Sequence, residues 1–445
     1  MFFLRPIINI SIIACVAYMC AFGVNSAKAE QAAGFELSLP SAILFALNNN
    51  PDVQISEERE EQGYYSIEEI RADLYPQIQM AADIGLQYND PATGFTPSTG
   101  NIRTSTEVSF TIQQILFDGF RTLENINQQH ATNKSLSYET DVLTRDVILE
   151  VVTAYLNILQ GQKTLRAQER LVDRISDLVS KIELQFEAGA ASKTELDYAS
   201  SRLLFAQSQL TNVRSTLNDS ISELESQTGA LPEFVTLEPE FLYAQKTELQ
   251  SYLNYMFKNN ADFKANQYKK RALEHKYYTE EAARYPSFNA QVGGKQTTDD
   301  GGASGMYREF EASVKMSYKI FDGHLLDATQ DKIMSQMREL EYTDLTLAKD
   351  LRRDAEQLYN QLESVEDNLR INADEIATNE VLQALNRKNF ESGSIDIIEL
   401  IEGEERLVDS LSRKYGFVTD IYRNTYELLL LVGVLDKTYF CKSCE

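Results

Sequence analysis

Two hydrophobic periods alternate along this chain. From Gln77 to Tyr88 the period is two: Ile78, Met80, Ala82, Ile84, Leu86 and Tyr88 fall on one side, and Gln77, Gln79, Ala81, Asp83, Gly85 and Gln87 on the other. After a polar stretch, Asn89 to Arg103, Val108, Phe110 and Ile112 oppose Glu107, Ser109, Thr111 and Gln113. The figure returns later. Phe288, Ala290 and Val292 oppose Asn289 and Gln291; a loop runs from Thr297 to Arg308. Then Phe310, Ala312, Val314, Met316 and Tyr318 oppose Glu311, Ser313, Lys315, Ser317 and Lys319. Successive strand residues point to opposite faces, so four amphipathic strands in two β-hairpins are predicted, at about 77–116 and 287–320. A half-buried soluble sheet would also alternate. Here the charges Asp83, Glu107, Glu311 and Lys315 all fall on the polar side, as in a wall with lipid outside and water inside.

The rest reads as helix of unusual length. No Pro occurs from 98 to 231 or from 287 to 445, and Gly161 is the only Gly between Gly119 and Gly189. A helix there could hold nearly 70 residues, roughly 100 Å at about 1.5 Å per residue. Leu196, Ala199, Leu203, Ala206, Leu210, Val213, Leu217, Ile221 and Leu224 step by three and four, as do Leu171, Ile175, Leu178, Ile182 and Phe186. That spacing is a coiled-coil seam. Gly189 and Gly393 each stop a helix, and Ser192 with Glu195 forms a capping box for the next one.

The chain states its pattern twice. Asn48-Asn49-Asn50-Pro51-Asp52 recurs as Lys258-Asn259-Asn260-Ala261-Asp262, and Tyr75-Pro76 as Tyr285-Pro286, both 210 residues on. Leu116-Phe117-Asp118-Gly119 recurs as Ile320-Phe321-Asp322-Gly323, and Phe186-Glu187-Ala188-Gly189 as Phe390-Glu391-Ser392-Gly393, both 204 on. One six-residue indel in a loop accounts for the change of register. The expected organisation is a signal segment 1–29, a first repeat 30–230, a linker 231–247, a second repeat 248–435 and a tail 436–445.

Composition narrows the function. The formal net charge is −25, against any grip on nucleic acid, which needs a basic face. With 3 His and 4 Cys, scattered, no metal cluster is suggested, and no phosphate-cradling Gly loop is present; neither an enzyme nor a cofactor is expected. Arg5, the apolar run Ile7 to Val24 and Ala27-Lys28-Ala29 read as a cleaved secretory signal, with Glu30 first in the mature chain. Cys15 and Cys20 leave with it. Cys441 and Cys444 form a C-x-x-C in the tail, with no helix start to make it a redox motif. Beyond residue 29 no apolar run approaches the ~20 residues of a spanning helix. If this exported chain crosses a membrane, it does so as strands.

Four strands cannot close a barrel, and an open edge in lipid leaves backbone groups unpaired. Several chains must share one wall; three chains give twelve strands. The doubled unit, Asn50-Pro51, the paired Tyr-Pro, Leu116-Phe117-Asp118-Gly119 and the Phe-x-x-Gly turns, over residues 36–435, resemble the outer-membrane efflux and secretion channel family of TolC type. The resemblance implies a mainly α fold with a β-barrel contribution. Its unit of two long-helix hairpins and two β-hairpins assembles as a homotrimer with a twelve-stranded barrel in outer-membrane lipid. A helical tunnel then reaches a periplasmic adaptor protein and an inner-membrane transporter, with the ABC type favoured.

The second turn carries seven acids between Glu391 and Asp409, with Arg406 alone among them in opposition. Glu399 and Glu402 share a helical face. The resemblance makes them, with Asp396, a ring of carboxylates at the periplasmic gate, and makes Gly189, Glu195, Gly393 and Arg406 tip or adaptor contacts. Asp83, Glu107, Glu311 and Lys315 would face the lumen. The plainer reading is a solvated helix face with Glu402 paired to Arg406. Phe390 and Ile395 stand where latched family members carry Tyr and Arg, although Thr194 and Glu195 match the latch partners, so the latch does not carry over intact. The stretch Phe117 to Thr122 leans towards type I protein secretion over drug efflux. A periplasmic coiled-coil scaffold would keep the helices but has no use for greasy strand faces.

Overall fold

The computed structural model describes residues 35–89, 101–229, 234–236, 238, 239, 248–298, 305–435 and 439. The expected signal segment, Cys441 and Cys444 lie outside these residues. The elements follow from local chemistry. Helix α1 (Leu39–Asn49) starts at Ser38, whose hydroxyl accepts from the Ser41 N–H at 3.3 Å. Asn50 then ends α1 and opens α2 (Pro51–Ala72), its side chain accepting from the Asp52 N–H at 2.8 Å. Asn260 plays the same part between α5 (Leu249–Asn259) and α6 (Ala261–Glu281), accepting from Asp262 at 2.9 Å. The repeated Asn is a helix-to-helix corner.

Strands β2 (Gln77–Asn89), β3 (Asn101–Phe117), β5 (Ser287–Thr298) and β6 (Met306–Ser317) form one antiparallel sheet in the order β2-β3-β5-β6. The two hairpins are joined side by side through β3 and β5, and β2 and β6 are the sheet's two edges. A bulge between Ile115 and Phe117 puts Phe117 opposite Phe288, back on the apolar face. Two expectations are corrected here. The strands run further into the loops than the side-chain pattern suggests, and the second hairpin ends at Ser317 rather than about residue 320. Arg308 is therefore in the ladder on the apolar side, at its rim, where its Nε donates to Gln296 Oε1 at 3.1 Å. Backbone pairing continues wherever a partner strand is present, whatever the side chains are. Phe35–Leu37 (β1) pairs in parallel with Phe234–Thr236 (β4), a contact no motif announced.

The long helices are α3 (Arg121–Glu187) and α7 (Leu325–Glu391), of 67 residues each, and α4 (Lys193–Thr228) and α8 (Ile397–Val432), of 36 each. Asp118 and Asp322 make the corner from strand to helix, accepting from the Thr122 and Leu326 N–H groups at 2.8 and 3.0 Å. At Gly119 φ is +73°, and a Cβ there would lie 2.6 Å from the Ala282 carbonyl oxygen, so the glycine of the Phe-Asp-Gly landmark is required twice over.

One core packs α1, α5, the middle of α3 and the end of α8; Tyr155 is fully buried in it and donates to the Leu37 carbonyl at 2.7 Å. A second core lies towards the α7–α8 turn, built on Leu171, Ile175, Ile182, Ala199, Ala206, Ile397 and Ile401. Most seam positions are buried or half-buried, but Phe186 is exposed, with the Nζ of Lys193, the first residue of α4, 6.0 Å from its ring centroid. Individual bonds are duplicated as well. Gln168 Nε2 donates to the Ala206 carbonyl and Asn372 Nδ2 to the Ser410 carbonyl, each at 3.2 Å and 204 residues apart.

Candidate functional site

The sheet defines the first candidate surface. Its register places Asp83 opposite Glu107, Gly293 opposite Glu311 and Asn289 opposite Lys315, so Asp83, Glu107, Glu311 and Lys315 share one face. Lys295 joins them, its Nζ 3.1 Å from Glu107 Oε2. The opposite face presents Ile78, Ile84, Leu86 and Phe310, each at least 75% exposed. Gly294 lies between the rings of Phe110 and Phe310 there; a Cβ would meet Phe110 Cε1 at 2.5 Å. Gln114, Gln296 and Arg308 share this face only towards its ends, and an exposed apolar surface of this kind marks a contact with lipid or another protein.

The second candidate surface is the pair of helical turns. Gly189 and Gly393 both have φ of +73°, with open space around them. Their hydrogen bonds match: Gly189 N–H to Phe186 at 2.9 Å and Gly393 N–H to Phe390 at 3.0 Å. In the first turn the Ser192 N–H donates to Glu195 Oε2 at 2.6 Å while the Glu195 N–H donates to the Ser192 hydroxyl at 3.2 Å. The Ser192 backbone bond, then its hydroxyl, hold the Glu195 carboxyl below its ordinary value; burial and the nearby Asp396 charge act the other way. In the second turn Asp396 caps α8, accepting from the Glu399 N–H at 3.0 Å.

The seven acids of this turn divide in two. Glu404 is 2% exposed. Arg174 of α3 donates to it at 2.6 Å, Arg387 of α7 at 2.6 and 3.0 Å, and Gln383 of α7 also bonds it. Glu405 is held by Arg202 of α4, whose Nε donates to Oε1 at 2.9 Å; that bond, the largest influence, raises the Arg202 pKa. Cations from three other helices therefore oppose the acids, which corrects the expectation that Arg406 stands alone. Linear sequence could not show partners some 17 to 230 residues away. One signal was legible: Glu404 continues the stripe Ile397, Leu400, Ile401, a carboxylate at a core position.

Glu391, Asp396, Glu399, Glu402 and Asp409 remain exposed. Glu399, Glu402, Arg406 and Asp409 run along one face of α8, and Arg406 Nη1 lies 3.5 Å from Glu402 Oε2 in an exposed pair. Burial first, and then Glu402, Glu405 and Asp396 against the opposing Arg202, push the Tyr198 hydroxyl up, so both turns of one chain share this acidic patch. Among the described residues no His, Cys, Asp and Glu group could hold a metal ion, and no helix is long and apolar enough to cross a membrane.

A greasy-faced sheet on a stalk of duplicated helical hairpins defines a class, and the comparisons agree. The family described as "Outer membrane efflux protein" matches residues 43–230 and again 253–434, and the chain belongs to that family. The TolC-type resemblance read from the landmarks is thereby borne out. Outer membrane protein TolC of Escherichia coli (strain K12) is 24% identical over 203 residues, 45% of this chain and 40% of TolC, so the match spans two fifths of that relative. Alkaline protease secretion protein AprF of Pseudomonas aeruginosa is 21% identical over 422 residues, 91% of this chain and 86% of AprF. Among solved structures, CusC shares the fold, with a TM-score of 0.74 at 14% identity over 91% of this chain and 95% of that one.

Proposed function

We propose that this chain is the outer-membrane duct of a tripartite export system. Three copies would close a twelve-stranded barrel, with α3, α4, α7 and α8 as a tunnel towards a periplasmic adaptor and an inner-membrane transporter. The observation that carries this reading is the four-stranded sheet itself. It has one face of exposed apolar side chains, one face of charges, and two edges, β2 and β6. Lipid satisfies the first face and water the second, and the edges are satisfied only by another copy. Purified protein in planar bilayers should give stepwise conductance; detergent-free, monomeric solubility would defeat the reading.

Type I protein secretion is the favoured cargo class, with the transporter of ABC type, because the similarity to AprF runs nearly end to end in both chains. The second reading is a small-molecule efflux pump, supported by the family's description. Deleting the gene separates them: loss of particular secreted proteins marks the first, loss of dye and antibiotic tolerance the second. The exposed stripe Glu399 and Glu402, with Asp396, is proposed as the periplasmic gate. Rings of carboxylates attract cations, so Glu399→Gln with Glu402→Gln should lower cation block and change single-channel conductance; unchanged values would remove the assignment. Gly189, Glu195, Gly393 and Arg406 frame the turns that an adaptor would meet.

A further inference from the structure

Contacts between the two repeats inside one chain can be carried forward by one repeat, and they then become contacts between copies. The register of this step is fixed by pairs already duplicated. Gln77 faces Gln113 in the first hairpin and Ser287 faces Ser317 in the second, 210 and 204 residues on. On the helices, Ser56 bonds Thr140 at 2.8 Å, and Asn266 bonds Asp344 at 2.7 Å, again 210 and 204 on.

Two inter-repeat contacts have no counterpart yet. Strand β3 lies against β5 with Thr111 opposite Gly293. Carried forward, β6 lies against β2 of the next copy with Lys315 opposite Asp83. Helix α3 lies against α6, where Arg145 Nη1 donates to Asp262 Oδ2 at 2.7 Å in a half-buried pair. Carried forward, α7 lies against α2 of the next copy with Lys349 facing Asp52. Both steps bring opposite charges together, although Thr111 and Gly293 are uncharged. All four residues are exposed, and none has an ion-pair partner among the described residues.

Asp83 in particular lacks relief. It sits directly across from Glu107, an unfavourable arrangement of like charges, and Lys295 reaches Glu107. An exposed aromatic lies on α7 at the matching place, although the residue that the step sets against it is Glu58 and not a second aromatic. Tyr138 of α3 stacks on Tyr268 of α6 at 5.6 Å, while its counterpart on α7, Tyr342, is 70% exposed. Ile55 and Tyr65 of α2 are exposed as well.

We propose that copies of this chain join along a seam of β6 and α7 on one copy and β2 and α2 on the next, with Lys315 paired to Asp83 and Lys349 to Asp52. The seam rests on the assembly proposed above and gives it a register.

The test uses the full-length chain extracted in detergent, with Cys441 and Cys444 replaced by Ser. Directly opposed strand residues have Cβ atoms about 4.5–5.5 Å apart, so Asp83→Cys with Lys315→Cys should be joined by a short bifunctional thiol reagent into covalent trimers. Asp83→Cys with Ser313→Cys, out of register by two, should link far less. For the helical half, Asp52→Lys or Lys349→Asp alone should weaken association roughly tenfold, and the double swap should restore it. Trimers by native mass spectrometry with no Asp83–Lys315 link, or with Ser313 linking better, would overturn the strand register and leave the assembly standing. Unrestored association in the double swap would overturn the helical contact. A wild-type chain with no trimers at all would overturn the assembly reading as well.

Discussion

The two helical turns share a backbone and differ in charge. Each ends a 67-residue helix, reverses through a glycine at φ +73° and opens a 36-residue helix with a side-chain cap. At the first turn the cap is a reciprocal Ser192–Glu195 box; at the second it is Asp396 alone. The larger divergence lies one to two turns into the second helix. Position 404 holds a buried carboxylate gripped by Arg174, Arg387 and Gln383, whereas its counterpart 204 residues earlier is Ser200. Backbone geometry is thus kept by glycine and caps, and what each hairpin grips is set by a few charged substitutions. In this chain the second hairpin is tied to both helices of the first, through Arg174 and Arg202.

The comparison breaks most visibly at Glu404. Glu404→Ala removes charged hydrogen bonds from a buried site, while its two arginines are half exposed and can rehydrate; a loss of about 2–3 kcal/mol in denaturant unfolding is expected. Ser200→Ala should stay within about 0.5 kcal/mol. Equal losses would mean that the two hairpins are held alike.

Gly189→Ala and Gly393→Ala probe what the turns share. With nothing within 4 Å of either added Cβ, only the left-handed backbone matters, so each should cost about 1 kcal/mol and by the same amount. The caps come next. Ser192→Ala should cost about 1 kcal/mol and alter the acid response of the first turn. The Glu195 carboxyl is held below its usual 4.5 in the folded chain. Its contribution is therefore complete above about pH 4.5 and is lost as pH falls through the lower folded value. Hydrogen-exchange protection at the α4 N-terminus, taken relative to the intrinsic rate at each pH, should fall on acidification in the wild type, and in Ser192→Ala it should already be low at neutral pH. Smallest of all, Arg406→Ala removes one exposed pair at 3.5 Å and should change stability by less than about 0.5 kcal/mol.

Much of this was readable in the chain, for physical reasons. Period two gave the strands, because one face must meet an apolar medium; Pro-free runs between Gly119 and Gly189 gave the helix length. The repeated Asn50 and Asn260, Asp118 and Asp322 are caps, local devices whose partners lie within a few residues. What escaped was long-range. The joining of β3 to β5, the parallel β1–β4 pair and the grip on Glu404 and Glu405 all depend on residues far apart in sequence. Strand ends were also misplaced, since Arg308 is polar yet paired.

The central claim is that the greasy-faced sheet finds its missing edges in further copies and encloses water. Single-channel recording of the purified full-length protein in planar bilayers, with its mass read in the same detergent, tests it most directly. Discrete conductance steps from a species of three chains are the predicted result. A single-chain species that leaves the bilayer silent would contradict it.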